Sequence, residues 1–202
     1  MTTENPGSRG RPKASAGVVE ASLIGAAGVG AVLASFAASP GWIGAAGAAL
    51  AALTLAIAVV DRRRLIIPDE LNALAFAAGL AAAGLKTQAS PGAAILNALL
   101  RAALMFAAFF AFRAAYRRLR GIEGMGLGDV KLAAVAGVWL DWVDLPIAID
   151  IAAVAALGAV LIERLKGNRL DPRTKLPFGA FLAPAIWLCW LFATWRDDWT
   201  PH

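Results

Sequence analysis

The chain of 202 residues is 59% hydrophobic and only 16% charged, and its mean hydropathy is +0.66. This composition excludes an ordinary soluble domain and indicates an integral membrane protein. The net charge of +5 does not indicate nucleic-acid binding, because the basic residues cluster in short segments between apolar runs. Since Cys189 and His202 are the one cysteine and the one histidine, a disulfide framework and a Cys/His metal site are excluded. We expect no metal or other cofactor.

Seven apolar runs follow one another along the chain, and most of them approach the ~20 residues that a membrane-spanning helix needs. They cover residues 17–38, 41–60, 69–85, 92–116, 130–140, 145–163 and 177–195. The sequence therefore predicts an all-α integral membrane protein, a polytopic helical bundle of about seven transmembrane segments. The polar segment 1–16 is predicted to be disordered, and residues 196–202 form a C-terminal tail.

The basic residues orient these segments, because cytoplasmic loops are enriched in lysine and arginine. Basic residues lie before the first run, after the second, around the loop that follows the fourth, and after the sixth. They are Arg9, Arg11 and Lys13; Arg62, Arg63 and Arg64; Arg117, Arg118, Arg120 and Lys131; and Arg164, Lys166, Arg169, Arg173 and Lys175. The intervening connectors 39–41, 86–91 and 141–144 hold one lysine and two aspartates. This alternation predicts a cytoplasmic N-terminus and a C-terminus on the outer side.

Two segments leave alternatives open. Run 130–140 has eleven residues, which at ~1.5 Å per residue cover only about half of the ~30 Å hydrocarbon core. We expect a short crossing, because otherwise the basic residues after Glu163 would lie outside; a re-entrant hairpin is the alternative. The basic start followed by run 17–38 also fits a signal peptide, with the small residues at 34–39 as its cleavage site.

Carboxylates are the candidate catalytic groups, because the chain has no GxSxG or HExxH motif and its histidine is the last residue. Asp61 ends the second run, where the C-terminal dipole of a helix disfavours an acid. The alternative for Asp61 is a surface partner of the arginines at 62–64. Asp69 follows Pro68 at the predicted start of the third helix, where an acid complements the dipole.

The stretch GMGLGDVKL at 124–132 places three glycines before a lone acid. Asp129 is a favoured helix N-cap residue for the apolar segment that follows it. Gly124, Gly126 and Gly128 allow positive φ and the close approach of another backbone, which a simple cap does not require. Such a loop could receive an extended substrate, although it lacks the GK[ST] of a phosphate loop.

Three stretches together resemble the prepilin peptidases, which are membrane aspartic proteases of the GxGD class. They are the D-x6-P-D spacing at 61–69, GMGLGDVKL at 124–132 and KLPFGAFLAP at 175–184. The resemblance covers about residues 41–195 and implies a six-helix membrane core there, with 17–40 as an additional N-terminal transmembrane segment. It implies that Asp61 and Asp129 are the catalytic pair. The substrate-binding and loop residues that it implies are Pro68, Asp69, Gly124, Gly126, Gly128, Lys131, Pro177, Phe178 and Gly179.

The resemblance also implies a location and a substrate. The protein would reside in the bacterial inner membrane and cut the short basic leader from a pilin-like precursor at the cytoplasmic face. One departure concerns methyl transfer, because many members carry an extra cytoplasmic domain with paired cysteines and this chain has no such cysteines. The compact form resembles the peptidases that serve Flp-type (Tad) pili, and no methyl transfer is expected.

Several polar residues near the apolar runs have alternative roles. Lys131 can adjust the acidity of Asp129 or contact lipid phosphate, but extension to the membrane interface is favoured. Asn97 and Arg101 lie within the fourth run, where polar groups often face the bundle interior; extension of Arg101 outward is the alternative. Asp150 is assigned no chemistry. Tryptophans gather toward the predicted outer face as an aromatic belt; they are Trp139, Trp142, Trp187, Trp190, Trp195 and Trp199.

Two functions of other classes stay open. In a non-enzymatic scaffold or accessory subunit of a pilus or secretion machine, Asp61 would pair with arginine and Asp129 would only cap a helix. In a small transporter, Asn97, Arg101 and Asp150 would line a path, although the internal repeat that such folds often show is not evident. Membrane lipid is a partner in each case, and the oligomeric state is not predicted.

Overall fold

A computed structural model describes residues 12–87, 89–122, 124–167 and 177–199, which form seven α-helices and no strand. The helices are α1 (Pro12–Ala38), α2 (Trp42–Arg64), α3 (Asp69–Lys86), α4 (Pro91–Arg120), α5 (Leu127–Trp139), α6 (Asp144–Leu165) and α7 (Gly179–Trp199). The predicted all-α membrane bundle of seven segments is confirmed. Helix α1 begins inside segment 1–16, and the rest of that segment lies outside the described residues.

Four of the described helices are long and apolar enough to cross a membrane by length and composition. These spans are 17–38 of α1, α2, α4 and α6. Helix α5 has 13 residues, which corresponds to about 20 Å at ~1.5 Å per residue. It is therefore short of the ~30 Å hydrocarbon core, as the sequence predicts.

Helix α5 is the most enclosed element and contacts α3, α4 and α7. Val130, Leu132 and Ala133 at its start are fully buried. Small residues let it approach α4 closely, since a Cβ atom at Gly137 would lie 2.5 Å from the Cα of Ala102. In membrane bundles such close backbone contact replaces the hydrophobic driving force of soluble proteins. The packing holds the first turn of α5, with its aspartate, in a fixed position.

The chain from α5 to α6 runs from one end of the bundle to the other. Asp144 at the start of α6 pairs with Arg196 near the end of α7, at 3.1 Å. The start of α7, at Gly179, lies instead beside Asp129 in the first turn of α5. Segment 130–140 is therefore a single short helix between the two ends, and the re-entrant hairpin is wrong.

Arg101 faces the bundle interior, and the alternative of outward extension is wrong. Its side chain is only 11% exposed and pairs with Asp141 at 3.2 Å. Its Nε donates to the carbonyl of Gly137 at 3.1 Å, so the guanidinium satisfies a free carbonyl near the C-terminus of α5. By contrast, Asn97 is exposed on the surface of α4.

Three tryptophans assigned to the aromatic belt also hold helices together. Trp139 donates to the carbonyl of Ala75 in α3 at 2.8 Å. Trp187 donates to the hydroxyl of Ser35 in α1 at 3.1 Å, and the Trp190 ring fills the space beside a glycine of α2. A buried indole needs a hydrogen-bond partner or close packing, and these helices supply both.

Candidate active site

Three helix ends meet at one end of the bundle and bring two aspartates together. Asp61 lies in the last turn of α2 and Asp129 in the first turn of α5, while α7 begins beside them at Gly179. The two aspartates are only 5% and 8% exposed, respectively. Buried carboxylates need partners, so the contacts of each one define what the site can do.

The side chain of Asp61 turns into the bundle, away from the arginines that follow it. Ala180 at the start of α7 donates its backbone N–H to Asp61 Oδ2 at 2.8 Å. Arg63 pairs with Glu20 of α1 at 3.5 Å. The expected alternative of a surface ion pair between Asp61 and the arginines is therefore wrong, because α2 continues to Arg64 and its packed face carries Asp61 inward.

Asp129 is not the N-cap of α5, contrary to the sequence interpretation. The cap is Gly126, and its backbone N–H donates to Asp129 Oδ2 at 3.2 Å. Helix α5 thus begins two residues before Asp129, at Leu127. In this third helical position the carboxylate reaches back to the cap amide and also benefits from the positive end of the helix dipole.

Two of the three loop glycines are required by close packing and not by positive φ. None of them has a positive φ among the described residues. A Cβ atom at Gly128 would lie 2.9 Å from Cβ of Ile67, and one at Gly124 would lie 2.5 Å from the ring of Tyr116. None of the glycines uses the positive φ that the sequence allows, and the groups that approach Gly124 and Gly128 are side chains and not the backbone that the sequence analysis expected. Gly126 has open space around its Cα apart from Asp129.

Gly179 separates the two carboxylates. A Cβ atom on Gly179 would lie 3.0 Å from Asp61 Oδ2 and 3.1 Å from Asp129 Oδ1. Both distances start from one point, so these two oxygens are at most about 6 Å apart. The backbone N–H of Gly179 also interacts with each carboxylate. The positive end of the α7 dipole thus faces both acids, as at other helix N-termini that hold anions.

The surroundings of Asp129 favour its protonated form. Asp129 precedes the apolar run 130–140 and lies outside the four spanning helices. Burial raises its pKa to about 6, and the nearby charge of Asp61 acts in the same direction, while the amides of Gly126 and Gly179 oppose the shift. Two close carboxyl groups do not ionise independently, so this pair can hold one proton near neutral pH.

The other predicted site residues form two groups around the pair. Asp69 begins α3 after Pro68, as predicted, and both its oxygens accept from Lys131 at 2.7 and 2.8 Å. Lys131 therefore pairs with Asp69. This contact differs from the two predicted roles of Lys131, which were to adjust the acidity of Asp129 and to extend to the membrane interface. Pro177 and Phe178 precede Gly179, and the Phe178 ring packs against Phe109 at 6.5 Å between centroids.

Sequence analysis missed three residues at this end of the bundle. Ile67 is 6% exposed and fills the space between Gly128 and Gly179. Ala180 supplies a backbone N–H, which no side-chain pattern reveals. Asn72 is a buried amide in the first turn of α3. The sequence does not reveal its burial, because a polar residue near the charged start of a helix is expected to be exposed. The described residues contain no cluster of histidine, cysteine or acids that would hold a metal ion.

The fold and the site together define a polytopic helical membrane protein with two buried aspartates at the meeting point of three helix ends. A model of the Type IV leader peptidase family matches residues 48–161, which is more than half of the chain. The chain therefore belongs to the Type IV leader peptidase family.

Individual relatives support this assignment. The chain is 39% identical over 145 residues to the prepilin leader peptidase/N-methyltransferase of Burkholderia pseudomallei strain 1026b, covering 69% of the chain and 45% of that protein. Its identity to the protein of the same name from Aeromonas hydrophila is 32% over 162 residues, covering 79% and 52%. Its identity to leader peptidase HopD of Escherichia coli is 33% over 135 residues, covering 67% and 84%. The chain thus spans about half the length of the first two relatives. No solved structure is significantly similar to it.

Proposed function

We propose that the protein is a membrane aspartic endopeptidase that removes the short basic leader of pilin-like precursors, with Asp61 and Asp129 as its catalytic residues. The observation that carries this proposal is the pair of carboxylate oxygens held on either side of Gly179, at most about 6 Å apart. The names of the relatives support leader removal. Family membership supports the same class of reaction.

The chemistry follows from the sharing of one proton. The ionised carboxylate acts as a general base and takes a proton from a water molecule, which attacks the scissile carbonyl carbon. The protonated carboxyl polarises the carbonyl oxygen and then gives its proton to the leaving amine. Burial and the nearby charge of Asp61 raise the pKa of Asp129, which supports a pair that shares one proton and in which one member is the acid and the other the base. The peptide bond would lie between the two carboxylates beside Gly179, with the Ile67 side chain, which fills this space in the structure, moved aside.

We also propose the orientation of the protein in the inner membrane. The alternation of basic and non-basic connectors supports a cytoplasmic N-terminus, an outer C-terminus and a catalytic pair at the cytoplasmic face. In this arrangement the Asp144–Arg196 pair lies at the outer face. The proposed family core is 41–195, with 17–40 as an added transmembrane segment. Methyl transfer is outside the proposal, because the paired carboxylates account only for hydrolysis.

The test is processing of a co-expressed candidate precursor in membranes. The native chain is expected to shorten the precursor, whereas Asp61→Asn and Asp129→Asn are expected to lose about 1000-fold in rate, the middle of the roughly 100- to 10,000-fold range for a general acid or base. Asp150→Asn is the matched control, because Asp150 is an exposed residue of α6 and its loss should leave processing intact. Equal processing by Asp129→Asn and the native chain, at equal insertion, would contradict the assignment.

A further inference from the structure

The segment between α2 and α3 places a hydrophobic side chain inside the proposed catalytic site. This segment, residues 65–68, is called the α2–α3 loop. A Cβ atom on Gly179 would lie about 3 Å from one oxygen of each aspartate and 2.5 Å from Cδ1 of Ile67. The end of the Ile67 side chain is therefore within about 6 Å of both carboxylate oxygens. An apolar group in this position excludes the water that hydrolysis consumes.

Ile67 is held in this position mainly by the packing of its own side chain. The residue is 6% exposed, and it contacts the first turn of α5, since a Cβ atom on Gly128 would lie 2.9 Å from Cβ of Ile67. The backbone contributes little, because among the described residues neither Ile66 nor Ile67 makes a backbone hydrogen bond. A short segment with so few backbone hydrogen bonds can open locally while the rest of the fold stays intact.

Leu65 gives the α2–α3 loop a strained backbone. Its φ of 55° and ψ of 32° place it in the left-handed region, and it is the one residue other than glycine with a positive φ in the described ranges. Glycine or asparagine is usual in this region, because the Cβ atom of other residues comes too close to the following carbonyl oxygen. Residues with such strain are concentrated at switch segments. Rotation at Leu65 to a relaxed conformation would release the strain and carry Ile67 away from the aspartates.

The two ends of the α2–α3 loop are fixed, so a movement of Ile67 can stay local. At one end, the N–H of Leu65 donates to the carbonyl of Asp61 in the last turn of α2, at 2.8 Å. At the other end, Asp69 is the first residue of α3, and both its oxygens accept from Lys131 of α5 at 2.7 and 2.8 Å. A conformational change between these anchors moves Ile67 without separating the two helices that carry the catalytic pair.

We infer that the α2–α3 loop is an autoinhibitory gate, in which Ile67 blocks the place of the scissile peptide bond and Leu65 is the hinge that withdraws it. The precursor can occupy this place only when the gate is open, so its binding shifts the equilibrium toward the open state. In the closed state the aspartate pair is protected from water and from other peptides. This inference rests on the proposed peptidase function and adds the control of access to its site.

The first test is the change Ile67→Ala in the full chain, assayed in vesicles with a precursor protein as the probe. The shorter side chain no longer blocks the site, so KM should fall about fivefold with little change in kcat, because a closed fraction weakens apparent binding. A purely structural role of Ile67 predicts the opposite, since a cavity beside the aspartates would raise KM or lower kcat. The matched control is Ile66→Ala, the same change at the next residue, which is 66% exposed and should alter neither constant.

The second test measures access to position 67 and needs no substrate. The change Ile67→Cys is made together with Cys189→Ala, which removes the other cysteine, and the thiol is treated with a small methanethiosulfonate reagent. Leu65→Asn favours the left-handed region and should slow the labelling about fivefold, whereas the β-branched Leu65→Val is disfavoured there and should speed it about fivefold. The control Ile66→Cys, at an exposed position, should react rapidly with each of the three residues at position 65.

The outcomes separate the gate from the function on which it rests. If the native chain cuts the precursor but Ile67→Ala raises KM or leaves it unchanged, Ile67 does not block the site. If labelling at position 67 is equally fast with leucine, asparagine and valine at position 65, Leu65 is not the hinge. If labelling changes as expected while the native chain cuts no precursor and Asp129→Asn makes no difference, the loop moves as inferred and the peptidase function itself is contradicted.

Discussion

The two ends of the bundle each bury aspartate, but they treat the charge in opposite ways. Asp144 is 4% exposed and both its oxygens accept from the guanidinium of Arg196, at 3.1 and 3.4 Å. Asp61 and Asp129 are buried to a similar extent. Among the described residues, each of them accepts a hydrogen bond from a backbone amide and neither pairs with a cation.

Under the proposed function, the end with Asp144 serves stability and the end with Asp61 and Asp129 serves chemistry. A buried carboxylate that is paired with arginine is a structural unit, because removing one partner leaves the other uncompensated. Two buried carboxylates that share a small space repel one another and hold a proton between them. Such an arrangement lowers the stability of the fold. Acids whose pKa is shifted in this way are found most often at functional sites.

Apart from changes to the two aspartates themselves, Gly179→Ala should have the largest effect on activity, because its Cβ would lie at about 3 Å from both aspartates and 2.5 Å from Ile67. The methyl group would occupy the place of the peptide bond, and displacements of this size cost about 100-fold in rate. Processing kinetics check this result. The control Gly158→Ala adds a methyl group in open space and should have native activity; equal rates for both variants would contradict the placement of the substrate.

The change Asp144→Asn should lower stability and leave the chemistry intact. The change leaves the half-exposed guanidinium of Arg196 without its partner and a buried amide in place of the paired carboxylate, so the unfolding temperature should fall. Thermal unfolding in detergent measures the loss. Asp61→Asn, which removes no cation pair, should unfold at the native temperature or above, so a larger loss for Asp61→Asn would reverse the comparison between the two ends.

The smallest expected effect is a dependence of stability on pH that originates at Asp129. Its pKa is raised from 3.8 to about 6 in the folded protein, so the folded state binds the proton more tightly than the unfolded chain. By linkage, this stabilisation is fully present below about pH 4 and is lost as the pH rises through about 6. Acidification from pH 7 to pH 5 should therefore raise the unfolding temperature of the native protein by a few degrees more than that of Asp129→Asn, which cannot titrate there.

The sequence predicts the helices and the catalytic pair but not the contacts that hold the pair. Apolar runs and basic connectors predict seven segments because each helix must satisfy its own backbone in lipid. Asp61 stands out because the C-terminal dipole of its helix disfavours an acid, and Asp129 stands out through the glycines before it and through the resemblance that pairs it with Asp61. The amide of Ala180 and the packing of Ile67 are invisible in the sequence, because they come from the meeting of helices that are distant in the chain.

The incorrect assignments share one physical cause. Lys131, Gly124 and Gly128 were interpreted by the preferences of one helix or one loop alone. In the structure, tertiary contacts decide: Lys131 pairs with Asp69, and the side chains of Tyr116 and Ile67 pack against Gly124 and Gly128. Local preference is a weak guide wherever two helices touch.

The central claim, that the two aspartates act as one unit, is tested most directly by single-turnover cleavage rates of purified Asp61→Asn, Asp129→Asn and the double variant in vesicles. Residues that act as a unit lose as much singly as together. The account predicts that all three variants fall to the same residual rate, while Asp150→Asn keeps the native rate. Losses that multiply in the double variant, or a single variant that retains substantial activity, would show that the two carboxylates act independently and would contradict the account.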